Sequence, residues 1–328
     1  MVAHSPAYEL TACPICFSRD ARVLAHREDV REEVEELWEF HTRRLRGDTP
    51  AERLTDRVAF SHPPPFRVVQ CAECGLVYRN PRERAFELEA MYADAAPEPA
   101  VLESLHETQR STYDAQAERL ADVIGKRGSG LEVGSFVGGF LAAARERGWT
   151  FEGLDVNDDV NAFVRAKGFR VTTGALDDFA PNRRYDAVAI WNTFDQLPDP
   201  RAAATRVRAL LAPRGVLALR FPNGDFYARL RPKLDGPSAA IARALLAHNN
   251  LLTFPYRHGF TVRSLSRLLA DTGFTITRVF GDTLVPIADE WTLGWAAREE
   301  RALKRVLRVM ARAGPEAAPW VEVFARAT

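Results

Sequence analysis

The four cysteines of the chain form two C-x-x-C pairs that could ligate one metal ion. Cys13 and Cys16 stand in CPIC, and Cys71 and Cys74 stand in CAECG. A two-residue gap lets a tight turn bring both sulfurs of a pair to one point, and Zn²⁺ suits four thiolate ligands. Gly75 can adopt the left-handed conformation that such turns need. We therefore predict a structural zinc site, with free buried thiols or a redox pair as alternatives; four sulfur ligands would leave no open position for catalysis.

The segment between the two pairs, residues 17–70, is longer than a usual ribbon loop. Residues 28–46 have helical periodicity, so we expect a helix inserted into the ribbon, at an entropic cost that grows slowly with loop length. RVVQ before the second pair and LVYR after it are typical of a hairpin. Acidic residues dominate 27–39. We expect a solvated helix face there, and an acidic docking surface is the alternative.

A second candidate for chemistry is the glycine-rich stretch EVGSFVGGF, residues 132–140. An apolar strand ends at Val133, a turn spans Gly134 to Gly139, and a helical segment follows. The next strand ends in Asp155, where dinucleotide-binding folds place the acid that binds ribose hydroxyls. The pattern predicts the opening βαβ unit of a nucleotide-type cofactor site. The alternative is that the glycines only permit close packing and Asp155 only caps the next helix.

Phe136 occupies the position at which dinucleotide loops carry their middle glycine. That glycine lets the backbone approach a pyrophosphate, so a benzyl side chain there disfavours NAD or FAD. A cofactor with ribose and adenine but no phosphate is less affected, and S-adenosylmethionine fits that description.

These residues need a parallel sheet to position them, and the rest of the chain predicts one. Strands alternate with helices of about 10–12 residues, which is typical of βαβ units. The predicted strands are 130–134, 150–155, 169–173, 185–191, 215–221, 274–280 and 320–327. The predicted helices are 138–147, 158–167, 200–211, 261–272 and 297–313. In helix 297–313 we expect Leu303, Val306, Leu307 and Met310 to be buried, and Lys304, Arg305 and Arg308 to be solvated.

Composition excludes several function classes. Lys+Arg and Asp+Glu are both 44, and a net charge of zero argues against a protein that mainly binds nucleic acid or an anionic membrane. The first ten residues lack the features of a secretory signal, and no apolar run of about 18 residues predicts a membrane span. We expect a cytoplasmic protein, monomeric or homodimeric, without structural disulfides.

The successive motifs resemble those of class I S-adenosylmethionine-dependent methyltransferases. They are LEVGSFVGGFL, GLDVND, TTGALDD, YDAVAIWNTFDQLPDP and LLAPRGVLALRFPN. CPIC…CAECGLVYRNPR is similar to the zinc-binding module of bacterial methyltransferases, several of which modify sugars or secondary metabolites. The resemblance implies an α/β fold with a Rossmann-like, doubly wound, mostly parallel seven-stranded sheet and a small N-terminal zinc-ribbon domain. The expected domains are 1–95 and 96–328, with 223–259 as a cap that lines the acceptor pocket.

The resemblance also implies which residues hold the cofactor. Those expected at its methionine part are Glu132, Gly134, Ser135, Gly138 and Asn192. Asp155 would bind the ribose hydroxyls. Those expected beside the adenine are Val156, Ala175 and Leu176.

Methyl transfer needs a base only if the acceptor must lose a proton. Candidate catalytic residues are Asp195, after the fourth strand, and Tyr256 and His258 in FPYRHGF. Asp195 capping a turn, and His258 packing in an aromatic segment, are the structural alternatives.

The sequence thus favours methyl transfer from S-adenosylmethionine to a small-molecule acceptor. An RNA methyltransferase is one alternative, which the zero net charge and the acidic helix disfavour. A non-catalytic scaffold that has lost the cofactor is another, and Phe136 is its best support. An NAD-dependent oxidoreductase is disfavoured by the same residue.

Overall fold

The computed structural model describes residues 8–51, 54, 65–84, 97–285 and 288–328. The helices with their bounds are α1 Arg27–Thr42, α2 Pro99–Thr112, α3 Asp114–Ile124, α4 Gly139–Glu146, α5 Asp158–Ala166, α6 Pro200–Leu210, α7 Gly224–Leu230, α8 Ala239–Ala247, α9 Val262–Asp271 and α10 Gly294–Ala313. The strands are β1 Tyr8–Glu9, β2 Ala21–Ala25, β3 Val68–Cys71, β4 Val77–Arg79, β5 Arg82–Glu83, β6 Ser129–Val133, β7 Thr150–Asp155, β8 Val171–Thr173, β9 Tyr185–Trp191, β10 Leu211–Pro222, β11 His258–Gly259, β12 Phe274–Asp282 and β13 Trp320–Ala327.

The chain divides into two compact units that are discontinuous in sequence. The first comprises residues 1–82, 221–265 and 280–322, and the second comprises 83–220, 266–279 and 323–328. The domain boundary expected between residues 95 and 96 lies outside the described residues and remains a prediction. Among the described helices, none combines the length and the apolar character needed to cross a bilayer.

Most residues of the predicted parallel sheet belong to the second unit, and parts of β10, β12 and β13 belong to the first. Seven strands occur in the order β12-β13-β10-β9-β6-β7-β8. The five from β10 to β8 pair in parallel. The helices between them supply apolar faces, as in α5, where Val160 and Val164 are buried. This confirms the predicted α/β, Rossmann-like, mostly parallel seven-stranded architecture.

The first unit contains a second, smaller sheet in the order β11-β4-β3-β2. Strands β3 and β4 form the antiparallel hairpin predicted around the second cysteine pair. The inserted helix is present as α1 and packs its buried side into an apolar cluster. Members of that cluster include Leu37, Phe40, Phe226, Leu246, Phe254 and Leu307. The insertion and the segment 221–254 therefore share one core.

Buried charges fix α1 within that unit. Arg231 Nε lies 2.5 Å from Glu33 Oε1, and Thr253 donates its backbone N–H to Glu33 Oε2 at 3.3 Å. Burial raises the pKa of Glu33 to about 7, although the Arg231 guanidinium opposes that shift. Such a pair fits in only one helix orientation, because turning α1 would leave an uncompensated charge in the core.

The face predicted for helix α10 was partly wrong. Leu307 is buried as expected, but Lys304 is only 1% exposed, and Val306 is 57% exposed. Lys304 Nζ lies 2.9 Å from Glu300 Oε1 and donates a hydrogen bond to Val285 O at 2.5 Å. These partners draw the lysine inward and turn Val306 and Met310 toward solvent, which periodicity alone could not foresee.

Replacing Lys304 by alanine should destabilise the protein strongly, because the buried Glu300 loses its lysine partner. We expect a loss of about 3–5 kcal/mol in the free energy of unfolding, measured by urea denaturation. Lys167→Ala is the matched control, since Lys167 also pairs with a glutamate, Glu103 at 2.7 Å, but at the surface. That change should cost less than about 1 kcal/mol. Equal losses in the two variants would contradict the buried-pair assignment.

Candidate functional site

The four cysteine sulfurs lie together in the first unit. All four Sγ atoms are within 4.8 Å of one another. Cys13 Sγ is 3.5 Å from Cys74 Sγ, and Cys16 Sγ is 3.4 Å from Cys71 Sγ. A tetrahedral zinc with Zn–S bonds near 2.3 Å separates its sulfurs by about 3.8 Å. The donor set and its spacing therefore fit Zn²⁺.

Two equivalent turns create this convergence. Phe17 N–H donates to Cys13 O at 2.9 Å, and Gly75 N–H donates to Cys71 O at 3.0 Å. The residue after each pair has a left-handed backbone, with φ of 61° at Phe17 and 80° at Gly75. The conformation predicted for Gly75 is confirmed. The turn at Phe17 accepts the same geometry without glycine.

The thiols are electrostatically coupled. The hydrogen bond from Cys13 lowers the pKa of Cys74 to about 5, and the same bond, with burial, raises the pKa of Cys13. Close thiols share protons in this way because several adjacent thiolates repel one another. A divalent cation would remove that conflict, since it lets all four groups deprotonate. The residues of this cluster therefore suit a metal better than four free thiols.

The glycine-rich loop of the second unit leaves the carboxyl end of β6. Gly134 has φ of 76°, and a Cβ there would lie 2.4 Å from Thr193 Oγ1, so only glycine fits. Its N–H donates to Leu154 O at 2.8 Å. Gly138 N–H donates to Ser135 O at 2.8 Å and leads directly into α4. These bonds hold the loop against the end of β7.

Asp155 is joined to the loop by its carboxylate. Oδ2 accepts the backbone N–H of Phe136 at 2.9 Å, and Oδ1 accepts that of Asn157 at 3.2 Å. Each oxygen keeps a second lone pair, so the carboxylate can still accept hydroxyl donors. Phe136 itself has φ of 40° and is 37% exposed.

Glu132 and Ser135 place polar groups in the interior beside this loop. Both residues are about 2% exposed, and Glu132 Oε2 and Ser135 Oγ have no hydrogen-bond partner in the described part of the chain. Burial raises the pKa of Glu132 well above its ordinary value, and the nearby Asp155 carboxylate adds to the effect. A buried carboxyl without a partner is costly unless a ligand supplies one. The site is therefore suited to a cationic or hydrogen-bonding ligand group.

Asn192 begins the loop after β9 in a strained conformation, with φ of 58°. Arg220 Nη1 donates to its Oδ1 at 2.6 Å, and its Nδ2 donates to the Tyr113 hydroxyl at 3.2 Å. Tyr113 and Arg220 are supporting residues that the sequence analysis missed. Arg220 could have been singled out in the sequence because it is an arginine at the end of an otherwise apolar strand. No sequence motif includes Tyr113.

The three residues expected beside the adenine lie after the second and third strands. Val156 is exposed, and Leu176 is buried. Ala175 lines a cavity of about 620 Å³, together with Leu154, Thr173, Gly174 and Phe179. Its lining also includes Glu152, Arg170 and Arg183, and of the residues predicted to hold the cofactor Ala175 alone lines this cavity, so the adenine contacts remain a prediction.

The three catalytic candidates lie in different units. Asp195, in the loop after β9 of the second unit, is fully buried, and neither carboxylate oxygen has a partner among the described residues. Burial raises its pKa to about 7. His258 and Tyr256 belong to the first unit, where His258 pairs with Tyr78 in the small sheet. All three remain predicted rather than demonstrated catalytic residues.

Comparisons with known proteins agree with the sheet and the loop. The family described as "methyltransferase domain" matches residues 105–279. No curated protein matches the chain.

Solved structures resemble this chain only weakly. An Archaeoglobus fulgidus SAM-dependent methyltransferase is 17% identical, with 74% of this chain and 98% of that chain covered and a TM-score of 0.43. The plantazolicin methyltransferase BpumL in complex with SAH is 13% identical, with 74% and 97% covered and a TM-score of 0.44. A Clostridium acetobutylicum S-adenosylmethionine-dependent methyltransferase is 8% identical, with 66% and 91% covered and a TM-score of 0.43. Scores this low assign no substrate.

The cysteine cluster predicts one zinc ion per chain, released by chelation with a fall in the melting temperature. Elemental analysis of purified protein measures the stoichiometry. Cys74→Ser should abolish stoichiometric zinc, whereas Glu73→Ala, an exposed position in the same turn, should retain it. The metal assignment would be refuted if the protein contained no zinc and a thiol titration showed its cysteines to be oxidised to disulfides.

Asp195 predicts a pH-dependent stability difference between the wild type and Asp195→Asn. The folded pKa, about 7, lies above the ordinary value of 3.8, so the folded state keeps a proton that the unfolded state has lost. Wild-type stability should therefore fall relative to the variant by up to about 1.4 kcal/mol per pH unit between roughly pH 4 and 7. Urea unfolding across this range measures it. A pH-independent difference would show that Asp195 titrates normally.

Proposed function

Because this chain belongs to the family of methyltransferase domains, matched over residues 105–279, we propose that it transfers a methyl group from S-adenosylmethionine to a small-molecule acceptor. The observation that carries the proposal is the group of buried or anchored acids at the carboxyl ends of β6 and β7. Glu132 lies buried without a partner for Oε2 among the described residues, and Asp155 stands across the loop from it. The resemblance of the motifs supports an acceptor of the sugar or secondary-metabolite type.

The loop geometry favours a cofactor without phosphate. A pyrophosphate is bound by free backbone N–H groups at the glycine turn. Here the N–H of Phe136 is already donated to Asp155 Oδ2 at 2.9 Å. Phe136 also stands at the position where a dinucleotide loop needs a glycine so that the backbone can approach a phosphate. Both features argue against NAD and are compatible with an adenosine that carries a sulfonium.

The charge of the site supports the same cofactor. When bound, S-adenosylmethionine supplies an electrophilic methyl group, which an acceptor lone pair takes as the carbon–sulfur bond breaks and S-adenosylhomocysteine is left. Glu132 would hold the cationic methionine end, because a nearby cation favours the ionised form of a buried carboxyl. Ser135 would donate its otherwise unused hydroxyl, and Asp155 would accept the ribose hydroxyls. Val156, Ala175 and Leu176 would flank the adenine.

Proton removal is the second task if the acceptor is a hydroxyl. Asp195 is our candidate for it, since a carboxyl with a pKa of about 7 can take a proton near neutral pH. Tyr256 and His258 remain alternatives for the same role. We assign the cysteine-bound zinc a structural role, because four sulfur ligands close its coordination sphere. Residues 223–259 would contribute to acceptor recognition.

Calorimetry with the intact protein tests the cofactor assignment. S-adenosylmethionine and S-adenosylhomocysteine should bind, and NAD should not. Asp155→Ala should weaken S-adenosylmethionine binding by roughly 10- to 100-fold, because the hydrogen bonds of a charged acceptor to two hydroxyls are lost. Asp159→Ala is the matched control, since Asp159 is an exposed acid at the start of α5.

Each contrary outcome has a distinct meaning. No binding of either sulfur compound would favour a scaffold that keeps the fold without the cofactor. Binding of NAD alone would favour an oxidoreductase. Binding of S-adenosylmethionine that Asp155→Ala leaves unchanged would mean that the ribose lies elsewhere in the site.

A further inference from the structure

Helix α10 exposes a stripe of apolar side chains. Trp295, Val306, Val309 and Met310 are each between 43% and 62% exposed. At 100° per residue, Val306, Val309 and Met310 lie within about 60° of Trp295 around the helix axis, so the four side chains share one face. Clustered exposed apolar residues of this kind mark an interaction surface more often than scattered ones do.

One flank of this stripe is a row of arginines. The row follows helical spacing and consists of Arg298, Arg301, Arg305, Arg308 and Arg312. All five are exposed, and in the ranges that the structure describes none of them forms an ion pair or a side-chain hydrogen bond. We call these five residues the arginine row. Five like charges on adjacent turns repel one another and are stabilised by an anionic partner.

Helix α1 carries the complementary charge on the same unit. Glu28, Glu32, Glu35 and Glu39 are exposed and repeat at steps of four, three and four residues, which places them on one face. We call these four residues the acidic row. Glu39 pairs with Arg43, the residue that follows the end of α1. Trp38, beside the row, is also exposed.

We propose that the arginine row of α10 docks on the acidic row of α1 in a second copy of this chain, and that a twofold axis repeats the contact. The two rows have the same helical step, and their helices of 16 and 20 residues are about 24 and 30 Å long. In the twofold arrangement both rows of each copy are paired, because each copy presents one basic row and one acidic row to its partner. An anionic membrane would neutralise the arginine row and leave the acidic row unpartnered.

The apolar side chains complete the contact. Trp38 and Trp295 lie near the charged rows, and aromatic residues dominate the energy of many protein interfaces. The apolar stripe excludes water from the charge pairs, which strengthens them. A net charge of zero keeps the long-range repulsion between two copies small.

Charge reversal tests this interface directly by sedimentation or light scattering of the intact protein. The wild type should be a dimer that weakens as salt increases, because exposed charges are screened. Arg305→Glu with Arg308→Glu should be monomeric, and Glu32→Arg with Glu35→Arg should be monomeric too. An equimolar mixture of the two variants should form a heterodimer, because the intact arginine row of one variant then meets the intact acidic row of the other, and in the second contact the introduced glutamates meet the introduced arginines.

Two further variants keep the test independent of folding problems. Arg267→Glu with Arg278→Glu changes charge equally at exposed arginines outside the row, and this protein should remain dimeric. The milder Arg305→Ala with Arg308→Ala should raise the dissociation constant at least roughly tenfold. Circular dichroism checks that each variant is folded.

Three results would overturn the proposal. The first is a monomeric wild type at low salt and high concentration. The second is a failure of the folded reversal variants to associate when mixed. The third is a wild type that binds phosphatidylserine vesicles through the arginine row while it stays monomeric, which would make a membrane the occupant of this surface.

Discussion

Parallel pairing of five strands is the constraint on which the candidate site depends. Strands that run in the same direction end at one edge of the sheet, so the loops that follow them meet there. The register sets Val133 beside Leu154 and Glu132 beside Ala189, which brings the ends of β6, β7 and β9 to one level. Residues separated by tens of positions in the chain thereby become neighbours. The glycine loop, the acid at the end of β7 and the asparagine after β9 have no other reason to converge.

That edge carries polar groups whose interactions are incomplete without a ligand. Burial raises the pKa of Glu132 and of Asp195, because a low-dielectric surrounding disfavours a charge. Phe136 and Asn192 hold positive φ values, which non-glycine residues adopt at some energetic cost. Strain and unpartnered polar groups in one place are typical of a functional site.

The first unit shows how buried charges decide which side of a helix faces water. Glu33 with Arg231 holds α1, and Lys304 with Glu300 holds α10. Because separating either pair would leave a charge in the core, each helix has one permitted orientation. The consequence appears at the surface. The acidic side of α1 and an apolar, arginine-flanked side of α10 are exposed, although average hydrophobicity alone would not place Val306 or Val309 there.

Local patterns in the sequence were sufficient for the fold and for the glycine-rich loop, whereas the residues that would hold a cofactor remain predictions. Strand–turn–helix periodicity, the glycines at 134 and 138 and the acid at 155 predicted the sheet and the loop, because these features depend on residues close in the chain. The two C-x-x-C pairs predicted the sulfur cluster for the same reason. Only the tertiary structure showed that Tyr113 and Arg220 hold Asn192, that Lys304 is buried, and that residues 221–265 share a unit with the cysteines. Those facts depend on long-range packing and on buried charge pairs, which sequence spacing does not encode.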